Sequence, residues 1–205
     1  MKDPIATIKK FTFLSVCFFS FVGLTSAHAT IKESLALSTT EITADEACAR
    51  GYRSIVIDTL EAQAKAEKWL RIASVKGHRE AQYYLAVVLS NGLFGDGIVT
   101  PEALEWFRAS ANGGYDLAQH SLGVLYYRGH LLEQDYAKAR YWYELAAAQG
   151  NAYAMLNLGI MFRKGVGVAP DETKALEYFR RCWEDAEPGW SPEGDPAIKC
   201  KDRLD

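Results

Sequence analysis

The chain has 205 residues, a formal net charge of −3 and four cysteines. This length is enough for one domain with its own hydrophobic core. The slightly acidic balance excludes binding of nucleic acid through a broad basic surface, because such a surface needs clustered lysine and arginine.

Residues 1–29 have the layout of a secretory signal peptide. Three lysines among the first ten residues precede an apolar run over Phe11–Leu24, and the small-residue site Ala-His-Ala follows at 27–29. A membrane anchor is the alternative, but 14 apolar residues are fewer than the ~20 that span a bilayer. Cleavage after Ala29 would remove three lysines and one aspartate, so the charge would change from −3 to −5. We expect a periplasmic or secreted protein without stable membrane insertion.

Export would place the cysteines in an oxidising compartment. Three of them follow the predicted cleavage site, so at most one intrachain disulfide can form. Cys182 and Cys200 are close in sequence and near the C-terminus, and we predict a bridge between them. Cys48 is then left over, either buried or available for a disulfide that would link two chains.

The first part of the mature chain contains a flexible lead-in and a capping helix pair. Residues 30–42 carry Ser and Thr without helical periodicity. Thr43 and Glu46 then form a capping-box pattern that predicts a helix over Ala44–Asp58, and a second helix is predicted over Glu61–Lys76. The pair, 43–80, has weak repeat features, as expected of a terminal unit.

Three units of about 36 residues follow, over 81–117, 118–153 and 154–186. Each begins at an alanine, has Leu four residues later and a very small residue at the fifth, and contains a second helix with an aromatic ring. The rings at Trp69, Trp106, Trp142 and Tyr178 are 37, 36 and 36 residues apart. Such periods are typical of stacked helical hairpins. We therefore predict an all-α solenoid, closed by a C-terminal cap segment over 187–205.

Two packing expectations come from these repeat positions. Glycine inside a helix costs up to about 1 kcal/mol, so the small residue predicts that another backbone passes close by. The recurring rings are expected to fill the space between consecutive hairpins, where their removal would be among the most destabilising changes. Thr100, Asp135 and Asp171 are predicted to cap the second helix of their units.

The stretch Ala118–Gly150 carries AQHSLGVLYYRG and then DYAKARYWYELAAAQG. This pattern resembles the Sel1-like repeat family, and two further units match well. The resemblance implies a right-handed superhelix of antiparallel helix pairs, related to tetratricopeptide solenoids. It also implies an adaptor that holds other proteins. A cysteine-rich branch of the family is linked to β-lactam binding and hydrolysis, but this chain lacks the regularly placed cysteines of that branch.

A solenoid of this kind presents one face of its first helices on the concave side, and this face is the predicted partner-binding groove. It would be apolar along the middle, aromatic above and basic toward one edge, a composition that favours a protein or peptide partner. The alternative is that these side chains pack against neighbouring helices or are simply solvated. The predicted groove residues are Tyr83, Val87, Asn91, His120, Val124, Tyr127, Arg128, Leu156, Ile160, Arg163 and Lys164.

Signals for chemistry are weak. No histidine has metal-ligand spacing with Cys, His or Glu, and no serine lies in a nucleophile motif. We therefore predict no cofactor, no metal and no catalytic residue. The favoured function is a non-enzymatic exported adaptor, such as an immunity or inhibitor protein or an envelope assembly factor. The alternatives are an enzyme acting on β-lactams or peptidoglycan fragments, and a structural or homo-oligomeric protein.

Overall fold

The computed structural model describes residues 42–55, 60–90, 99–129, 131–185 and 196–204, and all regular secondary structure in these ranges is helical. The predicted signal peptide and almost all of the lead-in lie outside the described residues. None of the described helices is both long and apolar enough to cross a membrane. The helices are α1 (Ala44–Ile55), α2 (Leu60–Val75), α3 (Arg79–Leu89), α4 (Pro101–Asn112), α5 (Asp116–Arg128), α6 (Tyr136–Ala148), α7 (Ala152–Lys164), α8 (Glu172–Asp185) and α9 (Pro196–Lys201).

The helices pack in chain order as consecutive hairpins, which confirms the predicted all-α solenoid. The pairs are α1 with α2, α3 with α4, α5 with α6 and α7 with α8, and each pair also contacts the next. We call the first helix of each pair the A helix and the second the B helix. The short α9 packs on α8 and α7 at the C-terminal end.

Side-chain caps define where the B helices begin. The hydroxyl of Thr100 accepts a hydrogen bond from the N–H of Ala103, and the carboxylates of Asp135 and Asp171 accept from the N–H groups three residues on. These three predicted caps are confirmed. Each satisfies a backbone donor that has no partner inside the helix. Two A helices have caps that the sequence analysis did not identify, His78 before α3 and Asn151 before α7.

The predicted rings at Trp106, Trp142 and Tyr178 do pack against the core clusters, but the side chain that fills the space inside each hairpin is one residue later. Trp106, Trp142 and Tyr178 are only half-buried. At the next position along each B helix, the side chain is buried, and these side chains keep the spacing of 37, 36 and 36 residues: Leu70, Phe107, Tyr143 and Phe179. Both positions lie on the inward half of an amphipathic helix, and sequence periodicity cannot separate two neighbours on one apolar arc.

In three of the four hairpins the small residue of the A helix is a glycine, and it faces this buried side chain of its own hairpin. A Cβ added to Gly123 would lie 2.6 Å from Cδ1 of Tyr143, and one added to Gly51 would lie 2.6 Å from Cγ of Leu70. Gly159 meets the ring of Phe179 in the same way. The close approach is therefore mainly that of a side chain, whereas the sequence analysis expected a backbone. It leaves no room for a methyl group.

The glycine–Leu70 contact shows that the N-terminal helix pair is a further hairpin of the same type. Gly51 precedes Ala86, the small residue of the next A helix, by 35 residues, and Leu70 precedes Phe107 by 37. The pair therefore has the same packing of an A-helix glycine against a buried B-helix side chain as the repeats, although its other sequence features are weak.

The C-terminal end of the solenoid is held by a disulfide between Cys182 on α8 and Cys200 on α9, with a Cα–Cα distance of 6.0 Å. Both cysteines are fully buried. The structure thus contains the bridge that the sequence analysis predicted, and the bridge ties the last short helix to the last B helix. The other described cysteine, Cys48, is free and buried, so the structure favours the buried alternative over a link to a second chain.

Candidate functional site

The predicted groove residues follow a stripe along the inner side of the A helices, and their burial changes along it. On α5, His120, Val124 and Arg128 are four residues apart and therefore share one face. His120 is only 6% exposed, Val124 is half-buried and Arg128 is exposed. On α7, Leu156 is buried, Ile160 is half-buried and Lys164 is exposed. The surface therefore opens toward the C-terminal ends of these helices.

The predicted groove residues at the N-terminal, buried end of the stripe are not accessible to a partner. Tyr83, Val87, His120 and Leu156 are buried because neighbouring helices cover them. Their side chains pack the solenoid instead of offering surface to a partner. Asn91 lies outside the described residues. The accessible part of the predicted groove is therefore limited to Val124, Tyr127, Arg128, Ile160 and Lys164.

Polar side chains join α5 to α7 at the buried end of the stripe. The amide nitrogen of Asn157 lies 3.1 Å from Nε2 of His120, and the amide of Asn151 donates to Asp116 over 2.8 Å. Burial lowers the pKa of His120 to about 4, because an imidazolium cannot be hydrated there. His120 is thus a neutral packing residue at neutral pH, and it does not supply charge to the groove.

Tyr83 is the ring at the centre of an aromatic cluster on the first hairpin after the N-terminal pair. It is 1% exposed and its ring centroid lies 5.3 Å from those of Tyr84 and Tyr115, and 5.9 Å from that of Phe107. Desolvation by burial raises the pKa of its hydroxyl well above the ordinary value. Its edge-to-face and tilted ring contacts hold α3 against α4 and against the residue that precedes α5.

One accessible ring of the inner face was missed by the sequence analysis. Tyr52 on α1 is 47% exposed and its ring centroid lies 5.1 Å from that of Tyr84. It follows Gly51 directly, just as Val124 follows Gly123, so it occupies the same groove position. The signal in the sequence was Gly51 itself, 35 residues before Ala86, which would have aligned the first hairpin with the repeats.

Of the three basic side chains predicted at the edge of the groove, Arg163 has an ion-pair partner, whereas Arg128 and Lys164 have none in the described ranges. Nη2 of Arg163 is 2.6 Å from the Glu172 carboxylate and donates to the carbonyl of Arg203 over 3.0 Å. Its guanidinium also lies over the ring of Phe179 at 4.7 Å. Arg163 therefore holds the C-terminal segment in place, and its role in the groove stays a prediction. Arg128 and Lys164 are exposed, and within the described ranges neither has a salt-bridge partner.

A family model for the Sel1 repeat matches the chain three times, over residues 79–115, 116–151 and 152–181. These matches cover half of the sequence. The chain belongs to the Sel1 repeat family. Its three matched repeats contain α3 through most of α8, so the five accessible residues of the predicted groove all lie on Sel1 repeats, whereas Tyr52 lies before them. A fold of this kind is suited to protein–protein interaction.

Solved structures with the same fold come from several bacteria. A protective antigen of uropathogenic Escherichia coli with an SLR fold is 28% identical, with a TM-score of 0.64 over 76% of this chain and 33% of the antigen. A Sel1 repeat protein from Oxalobacter formigenes is 22% identical, with a TM-score of 0.66 over 79% of this chain and 62% of that one. Cysteine rich protein B of Helicobacter pylori is 19% identical, with a TM-score of 0.50 over 63% of this chain and 93% of that one.

This Sel1 repeat chain thus spans about a third of the length of the Escherichia coli antigen and less than two thirds of the Oxalobacter protein. No protein with a curated function matched it. The likeness to the Oxalobacter and Helicobacter proteins concerns the fold alone.

Three described serines of the Sel1 repeats donate their hydroxyl hydrogen bonds to the backbone. The hydroxyls of Ser90, Ser110 and Ser121 donate to the main-chain carbonyls of Ala86, Arg79 and Leu117 over 2.6–2.8 Å. A nucleophilic serine instead needs a base within hydrogen-bond reach.

Cys48 has the properties of an unreactive thiol. It is 5% exposed, and burial, together with the nearby carboxylates of Glu80 and Asp45, raises its pKa to about 11. The thiol form therefore dominates at neutral pH, and the thiolate is the nucleophile in disulfide formation. This protonation state argues against a dimer joined through Cys48.

Proposed function

We propose that this Sel1 repeat protein is a non-enzymatic exported adaptor that binds a polypeptide partner at the open end of its groove. The observation that carries the proposal is the gradient along α5 and α7, from buried residues through half-buried Val124 and Ile160 to exposed Arg128 and Lys164. The apolar strip ends in two cations that have no salt-bridge partner in the described ranges. Such a surface is complementary to an extended segment with an apolar side chain and an acidic end.

Charge supports an acidic segment as the bound element. The chain as a whole has a net charge of −3, so a positive edge is a local feature. A carboxylate between Arg128 and Lys164 would form charge-assisted hydrogen bonds, which are stronger than neutral ones. Arg128 and Lys164 are each the last residue of their A helix, where the helix dipole favours cations. Tyr127, half-buried beside Arg128, supplies the aromatic contact that is common at interfaces.

Export is supported by the Cys182–Cys200 disulfide, because such bridges persist in oxidising compartments. The signal peptide itself lies outside the described residues and remains a prediction. Two roles fit a groove of this kind in the cell envelope. The protein would either sequester a toxin or hydrolase, as an immunity protein does, or hold the components of an envelope assembly.

The proposal is tested by capture of the partner from an envelope fraction, followed by measurement of the Kd with the purified partner. Arg128→Glu should weaken binding at least tenfold, and the loss should shrink at high salt because it is electrostatic. Arg180→Glu on α8 is the matched control, since Arg180 is exposed on a B helix, and it should change the Kd less than twofold. Equal Kd values for the two variants would refute the groove assignment.

The non-enzymatic part of the proposal has its own assay. Purified protein incubated with a chromogenic β-lactam should show hydrolysis at the rate of the buffer alone. Turnover above this rate that follows the protein through purification would refute this part of the proposal and support the alternative of a β-lactam enzyme.

A further inference from the structure

A group of metal-ligating side chains lies at the N-terminal end of the solenoid, away from the open end of the groove. Cys48 comes from α1, and His78 and Glu80 come from the start of α3. The thiol sulfur, a ring nitrogen and a carboxylate oxygen of these residues all lie within 4.8 Å of one another. Cys48 lies thirty residues before His78, so the group does not form a short sequence motif.

A fourth ligand-type side chain adjoins the group. Asp45 is three residues before Cys48 on α1, so the two share a face of the helix. Its Oδ1 lies 3.2 Å from Nε2 of His78. Within the described ranges, neither Asp45 nor Glu80 forms a salt bridge with a lysine or an arginine. The cluster therefore gathers a thiol, an imidazole and two carboxylates without a basic side chain that would neutralise them.

The distances suit a small tetrahedral cation. Zinc binds sulfur at about 2.3 Å and nitrogen or oxygen at about 2.0–2.2 Å, so two ligands across one tetrahedral ion are roughly 3.5 Å apart. The observed limit of 4.8 Å exceeds this by about 1 Å, which small side-chain rotations can supply. Calcium and magnesium prefer oxygen ligands alone, whereas thiolate with imidazole and carboxylate is a zinc donor set.

We propose that Cys48, His78, Glu80 and Asp45 form a binding site for Zn²⁺ between α1 and α3. The ion would join the N-terminal hairpin to the first Sel1 repeat, much as the disulfide joins α9 to the last one. The site is independent of the groove and goes beyond the proposed adaptor function.

Binding of a metal ion would break the hydrogen bonds that His78 makes with Ala81 and Asp45. Its Nδ1 accepts a hydrogen bond from the N–H of Ala81 over 3.2 Å and caps α3, so the ring proton is on Nε2 and faces Asp45. An ion bound at Nε2, the nitrogen beside Asp45, would require this proton to move to Nδ1, which could then no longer accept from Ala81. Asp45 loses its hydrogen-bond donor at the same time and becomes available as the fourth ligand. Binding of the ion is thus coupled to the loss of one helix cap. It also releases the proton of the Cys48 thiol to solvent, because the thiolate is the form that binds the metal.

The cap allows a matched substitution. His78→Asn removes the imidazole ligand but keeps a side chain that is among the best N-caps, so α3 should remain intact. Cys48→Ser removes the thiolate with little change in volume. His130→Asn, which removes a histidine outside the proposed ligand set, serves as the control.

The experiment is a titration of the purified, tag-free protein with Co²⁺ as a spectroscopic probe for the zinc site, with the disulfide intact. We expect one equivalent to give a thiolate-to-cobalt charge-transfer band and the d–d bands of a tetrahedral ion, both abolished by Zn²⁺. Cys48→Ser should lack the charge-transfer band, His78→Asn should weaken binding at least about tenfold, and His130→Asn should match the wild type.

Two outcomes would overturn the assignment. One is a Co²⁺ spectrum of the folded wild-type protein without the charge-transfer band. The other is Zn²⁺ affinity, measured by competition with a chromogenic chelator, that is the same in wild type, Cys48→Ser and His78→Asn. Circular dichroism of each variant establishes that it is folded, so a loss of binding can be distinguished from a failure to fold.

Discussion

The register of the buried rings predicts which of two adjacent aromatic residues stabilises the central repeat. Tyr143 is 2% exposed and faces Gly123, whereas Trp142 is half-buried. From the sequence pattern alone, Trp142 would be the more important residue. The structure reverses the order, so we expect Tyr143→Ala to destabilise the protein more than Trp142→Ala, although tryptophan is the larger side chain.

The size of the effect follows from burial. Removal of a fully buried aromatic ring typically costs 3–5 kcal/mol of unfolding free energy, and we expect roughly this loss for Tyr143→Ala. Gly123 opposite the ring has no side chain with which to fill the resulting space. Trp142→Ala removes a ring that is already partly in water, so about 1–2 kcal/mol is expected from the smaller area that leaves the core.

Urea denaturation followed by circular dichroism measures both variants. With a denaturant slope of about 2 kcal/mol per molar, Tyr143→Ala should lower the midpoint by roughly 1.5–2.5 M and Trp142→Ala by less than about 1 M. Repeat proteins can lose units separately, so native-state hydrogen exchange in the central repeat should accompany the midpoint. Equal midpoints, or a lower midpoint for Trp142→Ala, would refute the assigned register.

A double-mutant cycle with Gly123 tests the contact itself. Gly123→Ala gains about 1 kcal/mol in helix propensity, but its Cβ would lie 2.6 Å from the Tyr143 ring, and overpacking of this kind costs about 1–3 kcal/mol. We expect a net loss in the wild type and a clearly smaller loss, or a gain of up to about 1 kcal/mol, in the Tyr143→Ala background. There the ring is absent, but the carbonyl oxygen of Ala139 still lies 3.2 Å from the added Cβ. Additive effects in the cycle would show that the two residues do not interact.

Three further predictions concern the disulfide, the buried histidine and the ion pair. The Cys182–Cys200 bridge closes a loop with a sequence separation of 18, so replacing both cysteines by serine should lower the unfolding free energy by about 3 kcal/mol. The urea midpoint of the variant should lie below that of the oxidised wild type, and an unchanged midpoint would contradict a stabilising bridge. The pKa of His120 falls from 6.5 to about 4 on folding, so the unfolded state binds the proton more tightly than the folded state. The unfolding free energy should therefore fall as the pH drops below about 6.5, and it should level off below about 4. This loss should amount to about 2–3 kcal/mol by pH 4.5, and unfolding curves at several pH values should show it reduced in His120→Gln, whereas identical pH profiles would refute the cause. Because Arg163 pairs with Glu172 at a partly exposed site, Arg163→Ala should lower the unfolding free energy by only about 1 kcal/mol and leave partner affinity nearly unchanged; a tenfold weaker Kd would instead support the predicted role of Arg163 in the groove.

Local rules and the repeat period were enough to predict the architecture. The spacing of 36–37 residues between aromatic positions specifies hairpins that must stack, because a single hairpin cannot bury its apolar face alone. Thr100, Asp135 and Asp171 were predictable as caps because a cap depends on contacts within four residues of the chain. The bridge between Cys182 and Cys200 was predictable because only a short segment separates them.

The tertiary structure alone decided which residues are inside and which are outside. Phe107 and Trp106 are neighbours on one apolar arc, and only the packing of the opposite helix determines which ring enters the core. The groove pattern on α5 and α7 was visible as residue types, but the change from buried His120 to exposed Arg128 depends on how closely neighbouring helices approach at each end. Cys48, His78 and Glu80 meet for the same reason: the residues come together only when α3 packs on α1. Sequence patterns report interactions over a few residues, whereas burial and the meeting of distant side chains are properties of the assembled solenoid.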